Sequence, residues 1–261
     1  MLPPQGFLSM TLTVEAIAVD AVRLFLMILA RYFLIAGGVF WLLETRGRSP
    51  ANGTRPAAAA LARARILGDI HHSVQAAVVF ALAAAALVAA ARMGLTRLYD
   101  EPARHGWWYL GASYALVLLL QDAYFYFTHR LFHHPRLYRW FHAGHHQSRE
   151  PTAWTSFAFD TPEAAVQALF LLAIVFVLPL HWITLFAVLV TMSVWAVINH
   201  LGLDRLPVSF PHGWLGRWFI GPAHHSLHHR RQGVHFGLYF TFWDRLLGTE
   251  DPAYLQAATP D

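Results

Sequence analysis

The chain has 261 residues, of which 13% are charged and 56% hydrophobic, with a mean hydropathy of +0.39 and a formal net charge of +4. A soluble domain carries about 25% charged residues, so the composition excludes an ordinary water-soluble enzyme and leaves room for one membrane domain and little more. There is no cysteine, which rules out disulfides, thiolate zinc sites and Cys-held iron–sulfur clusters within the chain; any metal must rely on nitrogen and oxygen ligands.

In chain order, the apolar runs predict an all-α, polytopic membrane bundle of four to five spans. The first run is Val22–Leu43, interrupted by Arg23 and Arg31. Arg46–Pro56 carries Gly47, Ser49, Pro50, Asn52 and Gly53 and reads as a loop. Ala57–Ala62 is alanine-rich and is expected to be helical. The second run is Val74–Ala91 and the third Trp107–Phe127, with Gln121 and Asp122 near its end. The fourth and fifth, Ala164–Leu180 and Trp182–Ile198, meet at Pro179-Leu180-His181. Spanning takes about 20 apolar residues, and these two lie near the lower limit, as a hairpin of spans or a shallow re-entrant pair. No basic stretch precedes a short apolar core at the N-terminus, so no cleaved signal peptide is read there. With no internal repeat and no separate redox domain, residues 1–261 are expected to form a single integral-membrane domain. Residues 128–163 and 199–261 then form a histidine-rich cap of short helices.

Arginine supplies all the positive charge, since the chain has no lysine. Arg46, Arg48, Arg55, Arg63 and Arg65 lie between the first two runs, Arg130, Arg136, Arg139 and Arg149 follow the third, and Arg205, Arg217, Arg230, Arg231 and Arg245 follow the fifth. The positive-inside rule places these three regions in the cytoplasm. His181 and His105 then fall on the opposite side. The expected location is a bacterial inner membrane, with the cap on the cytoplasmic side. Arginines there can hold anionic headgroups, and no nucleic-acid partner is expected.

Most of the 17 histidines fall in three clusters: His129-Arg-Leu-Phe-His133-His134, His142-Ala-Gly-His145-His146, and His224-His225-Ser-Leu-His228-His229. Residues four apart on a helix share a face, so His129 with His133, His142 with His146, and His225 with His229 each present paired imidazoles, with His145 and His228 beside them. His200, at the end of the fifth run, makes nine. Nine ligands are too many for one ion and suit two. Imidazole binds iron, copper, zinc and nickel alike, so ligand type does not name the metal. One such cluster could arise by chance; three on one predicted face do not. The combination implies a polynuclear metal site at a membrane surface and oxidative chemistry on lipids. His134 and His224 are expected to point elsewhere, His71, His72, His105, His181 and His212 to be ordinary polar residues, and His235 is left open.

These residues resemble the integral-membrane fatty acid hydroxylase and sterol desaturase superfamily. Asp122-Ala-Tyr-Phe-Tyr-Phe-Thr-His129-Arg130 is similar to the family's D-x3-Y-x2-H-R, and His145-His146-Gln-Ser-Arg-Glu-Pro-Thr to its H-H-x-S-x-E-P-T. Asn199-His200 occupies the place of the isolated family histidine, and Pro222-Ala-His-His225-Ser-Leu-His228-His229 resembles P-x2-H-x2-H-H. Trp243-Asp244-Arg245-Leu-Leu-Gly248-Thr249 resembles the terminal W-D-R-L-F-G-T. The resemblance runs from about Trp107 to Glu250. His235 departs from it, where the family usually has asparagine.

The resemblance implies a non-haem diiron oxygenase. Two iron ions held by the nine histidines use O2 and external electrons to hydroxylate or desaturate an aliphatic lipid or sterol-like substrate. With no haem domain visible, the electrons must come from a separate donor, a cytochrome b5-like protein, a ferredoxin or a reductase. Zinc is a plausible replacement metal in purified protein. A zinc-dependent membrane hydrolase and a metal transporter are the other classes considered. The first normally needs an open position and a carboxylate base, the second places its ligands at the bilayer midplane. Asp122, two turns before His129 in an apolar run, is functional by default. It is expected to accept a hydrogen bond from a ligand's second nitrogen, and Asp244 to do the same for the third cluster. Glu150 and Glu163 rank below them. Trp140, Trp154 and Trp243 are expected to form an interfacial belt.

Overall fold

The structure, a computed structural model, describes residues 14–47, 56–201 and 216–252, with side chains described at 14–43, 60–201 and 217–252. Arg48, Arg55 and the rest of the loop 48–55, Arg205, His212, the C-terminal stretch from 253 and the side chain of Arg46 lie outside the described residues.

The first membrane rod is Val14–Tyr32 (α1), a π-helical turn Phe33–Gly37, and Gly38–Gly47 (α2). Tyr32 and Gly38 keep helical backbone angles, so the rod is continuous through the turn. Gly37 sits where a Cβ would come within 3.0 Å of the Trp154 ring, and its lack of a side chain lets the indole lie against the rod. Next comes α3, Pro56–Arg92, which starts on proline and ends on Gly94. At that end Gly94 has a φ of +69° and donates to Ala91 O, while Leu95 donates to Ala90 O. That pair of bonds is a Schellman stop, and glycine takes the left-handed position without Cβ strain. Along α3, Ser73, Ala77, Ala81, Ala85 and Ala89 are buried at four-residue spacing. Small residues so placed let helices approach closely in lipid, and α3 packs against both α1 and α6.

Trp107–Phe132 (α4), Thr161–Val177 (α6) and Trp182–Asn199 (α7) complete the bundle. Between α4 and α6 lie the short helix Tyr138–Phe141 (α5) and the 3-10 turns His145–Gln147 and Ala153–Phe157. Pro222–Arg231 (α8) and Phe242–Leu246 (α9) follow α7. Among the described residues, four helices are long and apolar enough to cross a membrane: Val14–Leu43, Ala60–Arg92, Trp107–Phe132 and Trp182–Asn199. Thr161–Val177 is apolar but shorter. The helices outrun the apolar sequence runs because hydropathy registers depth in lipid, whereas the helix continues as far as its backbone hydrogen bonds do. Leu26, Met27, Leu34, Leu119, Phe186 and Val190 stay exposed on the bundle's outer faces, as lipid contact requires.

The two ends of the bundle differ. At one, Leu98–Tyr99 (β1) pairs in parallel with Leu180–His181 (β2), tying the α3–α4 connection to the α6–α7 turn. Leu87, Val117, Phe170, Ile174, Leu180, Leu185 and Val188 pack together near it. At the other end α4 runs out at His129 and His133, α7 at His200, and α8 lies beside α7.

Candidate metal centre

Two histidine groups form at this second end. His129, His133, His142, His146 and His228 make one; His145, His200, His225 and His229 make the other. In each, one ring nitrogen per residue lies within 4.8 Å of the others. All nine sequence-predicted ligands are therefore brought together, and they divide five and four. The division follows local geometry. His225 and His229 share a face of α8 and enter one group, whereas His228, about 100° around the helix, enters the other. In the second cluster there is no continuous helix. The chain turns through His146 N–H donating to His142 O at 3.2 Å, which sends His142 and His146 one way and His145 the other.

Five rings are fixed through Nδ1. His129 Nδ1–H donates to Phe236 O at 3.0 Å, His145 to Ala158 O at 3.2 Å, His200 to Ala196 O at 2.7 Å and His228 to Val234 O at 2.7 Å. His142 Nδ1 meets Glu163 Oε2 at 2.8 Å. A carbonyl oxygen can only accept, so the four carbonyl contacts assign the proton to Nδ1 and leave Nε2 as a lone pair. His145 and His200 nevertheless face each other Nε2 to Nε2 at 3.4 Å. Two lone pairs cannot hydrogen-bond. Two nitrogens on one ion at about 2.1 Å and at right angles lie roughly 3 Å apart, so the spacing fits a shared cation. His133 Nε2 is buried with no hydrogen-bond partner, as an unfilled ligand position would be.

The rings are also held neutral. Burial, with the neighbouring rings adding to it, pushes His133 down to about 2 and His200 to about 3. Burial brings His145 to about 4, partly opposed by its bond to Ala158. His142, His225, His228 and His229 are pushed well below their ordinary value by burial first and mutual repulsion second. Neutral imidazole is the ligating form.

The supporting carboxylates differ from the sequence expectation. Asp122 touches no histidine; its Oδ1 accepts from Tyr239 N–H at 2.7 Å and Phe240 N–H at 3.2 Å. Asp244 accepts from Phe236 N–H, Gly237 N–H and the Thr249 hydroxyl at 2.7–2.9 Å. Both are satisfied by backbone donors of the irregular 236–240 segment, so they act one step away, by fixing the carbonyl of Phe236 that orients His129. Arg245 pairs with Glu250, not Asp244. Among the described residues, the carboxyl group that reaches a histidine of these two groups is Glu163, buried on the first turn of α6. Glu150 is exposed.

Sequence reading missed Asp69 of α3. It accepts from Ser148 Oγ at 2.8 Å and Thr155 Oγ1 at 2.7 Å, clamping the segment that follows His145 and His146. Asp160 Oδ2 accepts from Gly144 N–H at 2.8 Å, and His72 lies 3.5 Å from the same carboxylate. A Cβ at Gly144 would run into both, hence the glycine. The only signal for Asp69 was a carboxylate just ahead of an apolar run.

The remaining described histidines join neither group. His134 is exposed, and its Nδ1 accepts from Arg136 N–H. His224 turns back to accept from Gly221 N–H. His181 is buried at the β1–β2 end. His235 is buried with a φ of +57°, and its Nε2 accepts from Asp251 N–H at 3.4 Å. Histidine and asparagine are among the few residues that enter the left-handed region readily, which accounts for histidine where the resembled family has asparagine. Trp140 is exposed, Trp154 packs on Tyr32 and Trp243 stacks on Tyr126.

A family model described as fatty acid hydroxylase matches residues 114–249, half of the chain. The chain is 32% identical over 156 residues to the Delta(7)-sterol 5(6)-desaturase ERG3B of Gibberella zeae, covering 60% of this chain and 47% of the relative. It is 36% identical over 159 residues to lathosterol oxidase of Rattus norvegicus, covering 60% and 51%, and 29% identical over 195 residues to lathosterol oxidase of Homo sapiens, covering 74% and 64%. The chain thus spans about half the length of the first two relatives. No solved structure matches it.

Proposed function

Because the chain belongs to the fatty acid hydroxylase family, we propose that it is a membrane-bound diiron oxygenase that oxidises a C–H bond of an aliphatic lipid or sterol-like molecule, by hydroxylation ahead of desaturation. The observation that carries this is the five-and-four convergence of nine imidazoles, in which His145 and His200 turn accepting nitrogens toward each other. Bound at these two groups, iron would supply the O2-dependent removal of hydrogen from an unactivated C–H bond. His129, His133, His142, His146 and His228 hold one ion; His145, His200, His225 and His229 hold the other. The chain's own work is orientation and exclusion of water. Carbonyls of Phe236, Ala158, Ala196 and Val234 keep the rings aimed. Phe159 stacks on His145, and Phe125 and Phe236 flank His129, giving the site apolar walls.

In this reading one integral-membrane domain carries the whole site, and the metal end faces the cytoplasm of a bacterial inner membrane. A separate protein delivers the electrons, and zinc substitutes for iron in some preparations. The sterol-acting names of the relatives support a sterol-like substrate without narrowing it further. The test is purified protein in lipid nanodiscs with iron, a reductant and candidate lipids, with products read by mass spectrometry. Oxidised product that appears only with O2 supports the proposal; equal conversion without O2 replaces it with a hydrolase.

A further inference from the structure

The family match begins at residue 114, so α1 lies outside it, yet α1 brings one charged side chain to the site's flank. Arg31 Nη1 donates to Ser193 Oγ at 2.6 Å, and its guanidinium carbon sits 5.3 Å from the centre of the Phe157 ring. Among the described residues no carboxylate pairs with it, and its Nε is buried without a hydrogen-bond partner. A cation within a membrane span is costly and normally answers to a ligand or a partner charge. Ser193 and Phe157 together account for one of its five N–H groups and one ring face.

Two contacts place this cation beside the second histidine group. Ser193 precedes His200 by two turns of α7, roughly 10 Å. Phe157 precedes Ala158, whose carbonyl holds His145. The backbone of the rod is also unusual here, because the π-helical turn Phe33–Gly37 starts two residues after Arg31. Such turns recur at functional sites. Tyr32 pins the rod to the same 153–157 turn by donating to Trp154 O at 2.9 Å.

We propose that Arg31 anchors an anionic oxygen of the lipid substrate, a carboxylate or a phosphate, and so sets which C–H bond lies at the histidine centre. An anion is favoured over a neutral hydroxyl because it compensates the half-buried charge as well as filling the open N–H positions. The inference rests on the proposed oxygenase for the word substrate; the anion site itself rests on Arg31, Ser193 and Phe157.

The test uses the full chain in nanodiscs and fluorescent cis-parinarate as probe, against its methyl ester. Wild-type protein should bind the acid about tenfold to a hundredfold more tightly, the worth of a charge-assisted hydrogen bond. Arg31→Gln should lose that preference and Arg31→Lys keep part of it, both with wild-type metal content. Displacement of parinarate by oleate or by hexadecyl phosphate identifies the anion by which acts at lower concentration. Equal binding of acid and ester by wild-type protein, displacement by neither anion, or an undiminished preference in Arg31→Gln overturns the proposal and leaves Arg31 as a latch between α1 and α7. O2-dependent product formation is followed in parallel: its absence with the acid preference intact defeats the oxygenase reading alone.

Discussion

Both ends of the bundle bury histidine, but they use it differently. At the β1–β2 end His181 is saturated by the protein: Nε2–H donates to Asp100 O at 2.7 Å, and Nδ1 accepts from Ile183 N–H at 2.9 Å, capping α7. At the other end five rings give Nδ1 to an oxygen and turn Nε2 toward another nitrogen. Burial alone therefore does not mark a ligand. The mark is a ring satisfied on one side only, facing others like it.

The sharpest way to break this comparison is to exchange the fates of the two ends. His146→Ala should lower activity by more than about a hundredfold, since losing a contact one shell further out already costs about 10- to 100-fold. Metal bound per chain should fall with it, while the helical circular dichroism spectrum stays. Unimpaired O2-dependent turnover would falsify the ligand assignment. Next in size is Glu163→Gln, which replaces the carboxyl group that meets the His142 ring. Metal affinity of the five-histidine group should drop by about 10- to 100-fold, read by chelator competition.

Asp244→Asn should act mostly on folding, because Asp244 serves backbone N–H groups and Thr249. A loss of about 1–3 kcal/mol in thermal or denaturant stability is expected, with a smaller change in metal affinity than Glu163→Gln produces. The reverse order would return Asp244 to the role its place in the sequence suggested. His181→Ala should cost about 1 kcal/mol through the lost cap and leave metal content unchanged; metal loss there would erase the contrast between the ends. Smallest is His235→Asn, expected within about 0.5 kcal/mol because asparagine tolerates the same backbone angle, whereas His235→Val should cost about 1–2 kcal/mol.

The convergence of these nine histidines was legible because i, i+4 spacing and three repeated clusters are local signals. Their partition was not. Whether His145 joins His142 or His200 depends on a turn that the sequence does not announce, and on α7 arriving beside α8. Asp122 was read as the histidine's carboxylate because it sits two turns before His129. Its side chain instead meets Tyr239, over a hundred residues away in the chain. Glu163 reaches His142 only because α6 folds back under the second cluster. The span positions were readable from hydropathy and the helix ends were not, since the 37-residue α3 runs well past its apolar stretch at the N-terminal side.

The crossed allegiance of the second and third clusters would make the two proposed metal positions a single cooperative unit. An ion in the five-histidine group would immobilise His142, His146 and His228, and with them the backbone carrying His145, His225 and His229. A second ion would then meet ligands whose ordering entropy is already spent. Loading should be steep, with half-filled protein scarce at intermediate metal concentration. Damage to either group should be felt as a lower affinity in the other.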